Sequence, residues 1–239
     1  VDFSIANADT LREPAFTRGD RLQQFDVVLA NPPYSIKNWD RAAFQHDAYG
    51  RNILGTPPQG RADYAFIQHI IASMDEKRGR CAILLPHGIL ARDEEKDIRA
   101  KLVELDVVDC IIGVGRNLFY NSPMEACILI CRSKKADERK GKVQFIDAKS
   151  FVTRKNGESS LSTEHIQEIA KLYRSDEAVS GKSNLVEISE IQKNNNMLSI
   201  SLYVQSEANN NYDLDELMNN FDDAAKDVRV ELHKLLDVL

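Results

Sequence analysis

No run of about 18 consecutive apolar residues occurs in this 239-residue chain, which excludes a membrane-spanning helix by sequence. No basic cluster followed by an apolar stretch opens it, so a cytoplasmic protein with no membrane partner is the expectation. Cysteine is scarce. The four cysteines, Cys81, Cys110, Cys127 and Cys131, stand in apolar strand-like runs without Cys-x-x-Cys spacing. On a strand rising ~3.3 Å per residue, Cys127 and Cys131 are ~13 Å apart, too far for a disulfide. They read as reduced core residues, and the five histidines likewise show no metal-ligand spacing, so no metal is expected. Excess positive charge is missing too. The net charge is −6, and from Ser206 onward nine acids face three bases, which leaves 28 of each in the first 205 residues. A neutral body lacks the basic excess of a protein that grips nucleic acid alone, so part of any such grip is expected to come from a partner.

A glycine-rich cofactor loop is also wanting. Ile111-Ile112-Gly113-Val114-Gly115 resembles the opening of one, but such a loop must feed a helix. Only about ten residues, Pro123 among them, separate Gly115 from the next apolar run at Ala126–Cys131. The segment therefore reads as a connection between neighbouring strands.

What the chain does have is Phe25-Asp26-Val27-Val28-Leu29-Ala30-Asn31-Pro32-Pro33-Tyr34-Ser35. The apolar run reads as a buried parallel strand, stopped at once by two prolines that cannot donate to a ladder. An amide, two rigid rings and a phenol are thus delivered to the carboxyl end of a strand, where open α/β sheets bind ligands. Methylation of a planar exocyclic amine would need this set. Its nitrogen lone pair is delocalised into the ring, and it becomes nucleophilic when acceptors draw its protons out of the ring plane. The Asn31 side-chain oxygen and the Pro32 carbonyl are candidates for that role, with the two prolines fixing φ and aiming the carbonyl outward. Tyr34 offers a stacking face, worth ~1–3 kcal/mol for a base on an aromatic ring.

Taken in order, Phe3–Asn7 alternates like a short strand, and Asp9 and Thr10 follow it. Asp9 reads either as an acceptor for a nucleoside cofactor or as a turn cap. Residues 35–61 form a long irregular stretch with Gly50, Gly55, Pro57, Pro58 and Gly60, expected to be a lid over the site. Within it Trp39, Arg41, Phe44 and Arg51 read either as nucleic-acid contacts or, around Asp40–Ala48, as a short helix anchored by Trp39 and Phe44. Helical periods cover Ala62–Glu76, Asp93–Leu105 and His165–Tyr173, the last capped by Ser162 or Thr163. Strand-like runs cover Cys81–Pro86, Val107–Ile112, Ala126–Cys131, Val143–Ala148 and Leu198–Val204. Helices alternating with apolar strands argue for an α/β doubly wound sheet. The six bases and two acids of Arg132–Lys142 read as a solvated turn or, less often for such runs, a phosphate contact. Beyond Asn209-Asn210-Asn211, Leu214, Met218, Phe221, Ala225, Val228, Leu232, Leu235 and Leu239 form a heptad seam, the pattern of a helix that packs on a partner helix, on its own copy or on this chain's own core.

The order of these motifs, ANADTL, FDVVLANPPYS, GRADYAF, RCAILLPHGIL and RNLFY before ACILI, resembles the modification subunit of type I restriction-modification systems over residues 1–205. The resemblance implies a Rossmann-like fold that uses S-adenosylmethionine to methylate the exocyclic nitrogen of a flipped adenine in DNA. It implies roles for Asn31 and Pro32 in orienting the amine, Pro33 in shaping the pocket floor and Tyr34 in stacking. Asp9, Thr10 and Asn31 would hold the cofactor, and Phe119 or Tyr120 would stack on the far face of the base. It further implies a heptad helix over 213–239 docking on a specificity subunit, with a restriction subunit in the full complex. The family's first strands and glycine loop should precede Asp9, and this chain begins at Val1. Residues 1–205 are therefore expected to be a catalytic domain lacking those strands, inactive alone, with 206–239 as an assembly helix. In the usual strand order the missing strands lie between the first strand here and the Pro-Pro strand, so residues 1–8 are expected to be displaced, loosely attached or paired with another copy. Two alternatives stay open: a methyltransferase fragment acting on a glutamine amide or a ribosomal RNA base, and a non-catalytic assembly module.

Overall fold

The computed structural model describes residues 2–118, 124–155 and 158–205. Phe119, Tyr120 and the heptad segment 213–239 lie outside the described residues. The first of those described, 2–8, run as exposed coil, with Phe3 and Ile5 81% and 88% exposed. The strand expected at Phe3–Asn7 does not form. Alternation gives a segment two faces, but a strand persists only where a neighbour pairs its backbone, and none of the described residues does so here.

A small hairpin follows, β1 (Thr17–Arg18) and β2 (Arg21–Leu22), turned at Gly19 with φ +67°. Next come β3 (Val27–Ala30), a short helix α1 (Arg41–Gln45) and α2 (Asp63–Ala72). The chain continues through β4 (Arg80–Pro86), two 3-10 turns at His87–Leu90 and Asp93–Glu95, and α3 (Lys96–Glu104). Three long strands follow, β5 (Val108–Val114), β6 (Ala126–Arg132) and β7 (Lys142–Ala148). A second hairpin, β8 (Thr153–Lys155) and β9 (Glu158–Ser160), leads into α4 (Thr163–Arg174). The described chain closes with β10 (Ser183–Glu187), α5 (Ile188–Lys193) and α6 (Ile200–Tyr203).

Six strands form one mixed sheet in the order β10-β7-β5-β6-β4-β3. β3 runs parallel to β4 and β5 parallel to β7, while β6 is antiparallel to both its neighbours and β10 to β7. β4 reaches β5 through α3, skipping the place that β6 fills. One sheet face carries Cys81, Ile83, Leu85, Cys127, Leu129 and Phe145, packed under α2, α3, α5 and α6 through Tyr64, Ile67, Ile70, Leu102, Ile191 and Ile200. The opposite face carries Cys110, Ile112 and Ile146, covered by Leu172 of α4. All four cysteines are buried free thiols, and among the described residues no helix is long and apolar enough to cross a membrane.

Three expectations are corrected here. Leu198–Val204 is not a strand. Ile200 and Tyr203, three apart, are both buried, and the residues between them form a turn of helix that sets both against the core. The basic run Arg132–Lys142 is not simply a solvated turn, because Lys135 and Arg139 are buried in ion pairs with Asp106 at 2.5 Å and with Asp176 at 2.6 Å. β3, read as fully buried, is the outer strand of the sheet, with Val27 45% and Leu29 77% exposed. Among the described residues it pairs only with β4, so there its outer edge and one face are open.

Candidate active site

The parallel register pairs Val27 with Arg80 and Ala30 with Ile83. β3 therefore ends beside the middle of β4, and Asn31, Pro32, Pro33 and Tyr34 emerge at the carboxyl edge of the sheet. Asn31 and Pro33 are exposed, Pro32 is buried and Tyr34 is half-buried. Asn31 stands where two depressions meet. One is a cleft of about 520 Å³ lined by Ala6, Ala8, Thr10, Phe16 and Phe25, by Asn31 to Pro33, and by Phe66 and His69 of α2. The other, about 680 Å³, lies over the open sheet face between Leu29, Leu84, Ile128 and Leu118. Asn31 thus lines both spaces.

The turn after the motif is held under strain. Ser35 has φ +48°, a conformation that costs a residue with a Cβ about 1–2 kcal/mol. Asp63, the first residue of α2, offsets that cost: its Oδ1 accepts from the Ser35 backbone N–H at 2.8 Å, and its Oδ2 accepts from the Ser35 hydroxyl at 3.3 Å. Arg92 donates to the same Asp63 Oδ2 at 2.8 Å and to Glu95 Oε2 at 3.4 Å. Both carboxylates are buried. Gly88 makes room for this guanidinium, since a Cβ there would lie 2.8 Å from Arg92 Nε. Burial pushes the Glu95 carboxyl up to about 7, against the pull of Arg92 and with the push of Asp63. Burial first, and then the nearby Cys127 and Asp63, raise the Tyr34 phenol above its ordinary value, so it stays neutral at pH 7.

The long stretch after the motif is tied to α2. Gln68, fully buried on α2, accepts from Leu54 N–H at 2.7 Å and donates to the Gly55 carbonyl at 3.0 Å. Trp39 donates to the Gln59 carbonyl at 2.9 Å, and Phe44 is buried against it. The short-helix reading of Asp40–Ala48 holds for α1. Arg51 is not a nucleic-acid contact, because it is 2% exposed and clasps the interior. Its guanidinium donates to Asp47 Oδ1 at 2.6 Å, to the Thr10 carbonyl at 2.9 Å and to the Leu11 carbonyl at 2.7 Å. It also meets His69 Nδ1 at 3.2 Å. Since guanidinium only donates, His69 accepts there and carries its proton on Nε2. Burial and then Arg51 push this imidazole down to about 4, so it is neutral at pH 7 on the cleft wall.

Asp9 is exposed, and its Oδ1 accepts from the Leu11 and Arg12 amides at 3.1 and 3.2 Å. The described geometry makes it a turn cap beside the cleft, while Thr10 reaches the lining. Gly115 is no cofactor glycine: a Cβ there would meet Val152 Cγ2 at 2.5 Å and the Lys149 carbonyl at 2.7 Å, so it serves close packing between β5 and the chain after β7. Spacing missed Asp63 and Arg92, and it singled out Arg51 for a contact that its burial excludes. The only signal was an acid within Arg61-Ala62-Asp63-Tyr64, where helix periodicity assigns no special role.

The profile of the family described as N-6 DNA Methylase matches residues 1–212. The chain belongs to the N-6 DNA methylase family. It is 33% identical over 214 residues to the type I restriction enzyme MjaVII methylase subunit of Methanocaldococcus jannaschii, covering 85% of this chain and 36% of that protein. It is 30% identical to the type I restriction enzyme MpnII methylase subunit of Mycoplasma pneumoniae, covering 99% of this chain and 45% of that one. The crystal structure of a type I restriction-modification system methyltransferase subunit from Streptococcus thermophilus superposes with a TM-score of 0.76 at 33% identity, over 83% of this chain and 42% of that chain. This member of the family thus spans less than half the length of each of these relatives. The α/β class is the one expected from the sequence, and the strand directions of its sheet are mixed.

Proposed function

We propose that this chain is the acceptor-side part of a DNA adenine-N6 methyltransferase, within the modification subunit of a type I restriction-modification complex. The observation that carries the reading is Asn31-Pro32-Pro33-Tyr34 at the end of β3, with Asn31 between two clefts and the turn behind Tyr34 clamped by Asp63. Asn31 Oδ1 and the Pro32 carbonyl each accept one proton of the flipped base's exocyclic amine. Drawn toward these acceptors, the nitrogen loses conjugation with the ring and points its lone pair away from them. Tyr34 supports the ring by stacking, and Pro33 keeps the floor rigid. The proton released as the new N–C bond forms passes to water, because the amide and carbonyl are not bases near neutral pH and the Tyr34 phenol holds its proton.

S-adenosylmethionine, when bound, supplies the electrophilic methyl group. Thr10, Phe16, Phe25 and Asn31 line a cleft suited to its nucleoside portion. Among the described residues no glycine turn between a strand and a helix borders that cleft to cradle the charged tail. The chain alone is therefore read as a weak cofactor binder and inactive. Asp9 can reach the cofactor adenine only through the oxygen not engaged in its turn, and Phe119 or Tyr120 stacks on the base's second face. Segment 213–239 docks on the specificity subunit, which reads the DNA sequence, and the restriction subunit joins the full complex in the cytoplasm.

Calorimetric titration of S-adenosylmethionine tests the reading, first into this chain and then into a mixture with the upstream region of a longer relative. Binding only in the mixture is expected. Tight binding to the chain alone would overturn the claim that its cleft is incomplete, and no binding in either would favour a non-catalytic assembly module.

A further inference from the structure

We propose that Asp63 is a positioning residue for base capture, holding Ser35 in its left-handed conformation and thereby fixing the Tyr34 ring at the site, with Arg92 setting how firmly it holds. The inference rests on the reading of Tyr34 as the stacking face. A serine at φ +48° returns to the extended or right-handed regions unless something retains it. Asp63 is the retaining group: it is 1% exposed, and both its oxygens are engaged with Ser35, one on the amide and one on the hydroxyl. It is anchored in turn at the first position of α2, where the helix N-terminus favours a carboxylate. Arg92 pairs with it across 29 residues of sequence, and Arg61 reaches the same Ser35 hydroxyl at 3.4 Å. Three residues from two other segments, Arg61 and Asp63 from one and Arg92 from the other, thus converge on one turn, immediately after the aromatic that is to carry the base.

The arrangement has a mechanistic use. A stacking ring contributes to capture only if its orientation is settled beforehand, since ordering it during binding would cost part of the stacking gain. Asp63 settles it through the backbone, without touching the base.

The test uses the full chain, labelled at tyrosine and amide positions for NMR, with the Tyr34 signals assigned through Tyr34→Phe. The wild type should show slow exchange of the Ser35 amide and one dispersed set of Tyr34 ring signals. Asp63→Asn keeps the size but loses the charge and one acceptor. It should speed Ser35 amide exchange by about tenfold or more, as expected for the loss of a charge-assisted hydrogen bond, and average the Tyr34 signals. Adding Ser35→Asn to Asp63→Asn should restore part of the Tyr34 dispersion, because asparagine is the side-chain-bearing residue that most readily holds a left-handed φ by itself. A role of Asp63 in α2 packing alone would not be rescued by a change at residue 35. Unchanged Ser35 exchange in a folded Asp63→Asn chain, or no recovery in the double variant, would overturn the proposal. Should Asp63→Asn fail to fold, Arg92→Gln decides: faster Ser35 exchange with Asp63 still in place supports the clamp, and unchanged exchange contradicts it. None of these readouts involves methyl transfer, so a chain that proves not to methylate leaves this result standing on its own.

Discussion

Replacing Arg51 by alanine should cost the fold about 3–5 kcal/mol, the typical penalty for removing one partner of a buried ion pair. Its pair with Asp47 is closed on both sides, at 2% and 3% side-chain exposure, with 2.6 Å between Nη2 and Oδ1. Without the guanidinium, Asp47 is left as a buried charge, and the Thr10 and Leu11 carbonyls each lose a donor. The three losses share one side chain and do not add, so the estimate stays at the ion-pair figure. Urea unfolding followed by circular dichroism gives the number, against a total of roughly 5–15 kcal/mol for a domain. Acid supplies a second signature. In the wild type burial pushes the Asp47 carboxyl up, but the Arg51 hydrogen bonds and charge together outweigh it and hold the carboxyl below its ordinary value, a contribution present above the ordinary carboxylate pKa and lost as pH falls through the lowered one. In the variant the unpaired carboxyl protonates more readily, so the gap between the two proteins should narrow from pH 7 to pH 4. Arg51→Lys, with a charge but no fork, should recover only part of the loss. A difference under about 1 kcal/mol between Arg51→Ala and wild type at pH 7 would refute the idea that this side chain clasps the Asp47–Arg51 segment to Thr10 and Leu11.

Other outcomes follow from the same structure. Glu95 titrates at about 7 when folded and near 4.5 when unfolded, so the unfolded chain releases that proton first. Stability should fall by on the order of 3 kcal/mol as pH rises from about 4.5 to 7, then level off, and Glu95→Gln should flatten the curve in a urea series. Leu29 is 77% exposed on the open face of β3, so Leu29→Lys should shift the unfolding midpoint of the chain by less than about 0.5 kcal/mol. If that face is covered when the upstream region is supplied, the same substitution should abolish cofactor binding in the mixture, read by calorimetry.

The sequence was most informative where local patterning and tertiary need coincide. Val27–Ala30 followed by two prolines could only be a strand that stops, and β3 stops there. The apolar residues of α2 and α3 recur at helical spacing because one face of each meets the sheet, and Ser162 caps α4 through the His165 amide. What spacing could not show is pairing across distance. Asp63 meets Ser35 over 28 residues and Arg51 meets Thr10 over 41, and nothing local distinguishes these side chains from solvated ones. Phe3–Asn7 failed for the complementary reason: its alternation was adequate, but no described strand lies beside it. Leu198–Val204 alternated as well, yet its burial at Ile200 and Tyr203 belongs to a single helical turn.

The central claim is that Asn31 and its neighbours orient an exocyclic amine of DNA. Its most direct measurement is transfer of a labelled methyl group from S-adenosylmethionine to DNA by this chain completed with the upstream region, followed by digestion to nucleosides. The account predicts label in N6-methyladenine, and a fall of at least about a hundredfold in Asn31→Ala, which removes one of two acceptors used in the transition state. Label in protein glutamine or in RNA, or an Asn31→Ala variant that transfers as fast as wild type, would contradict it.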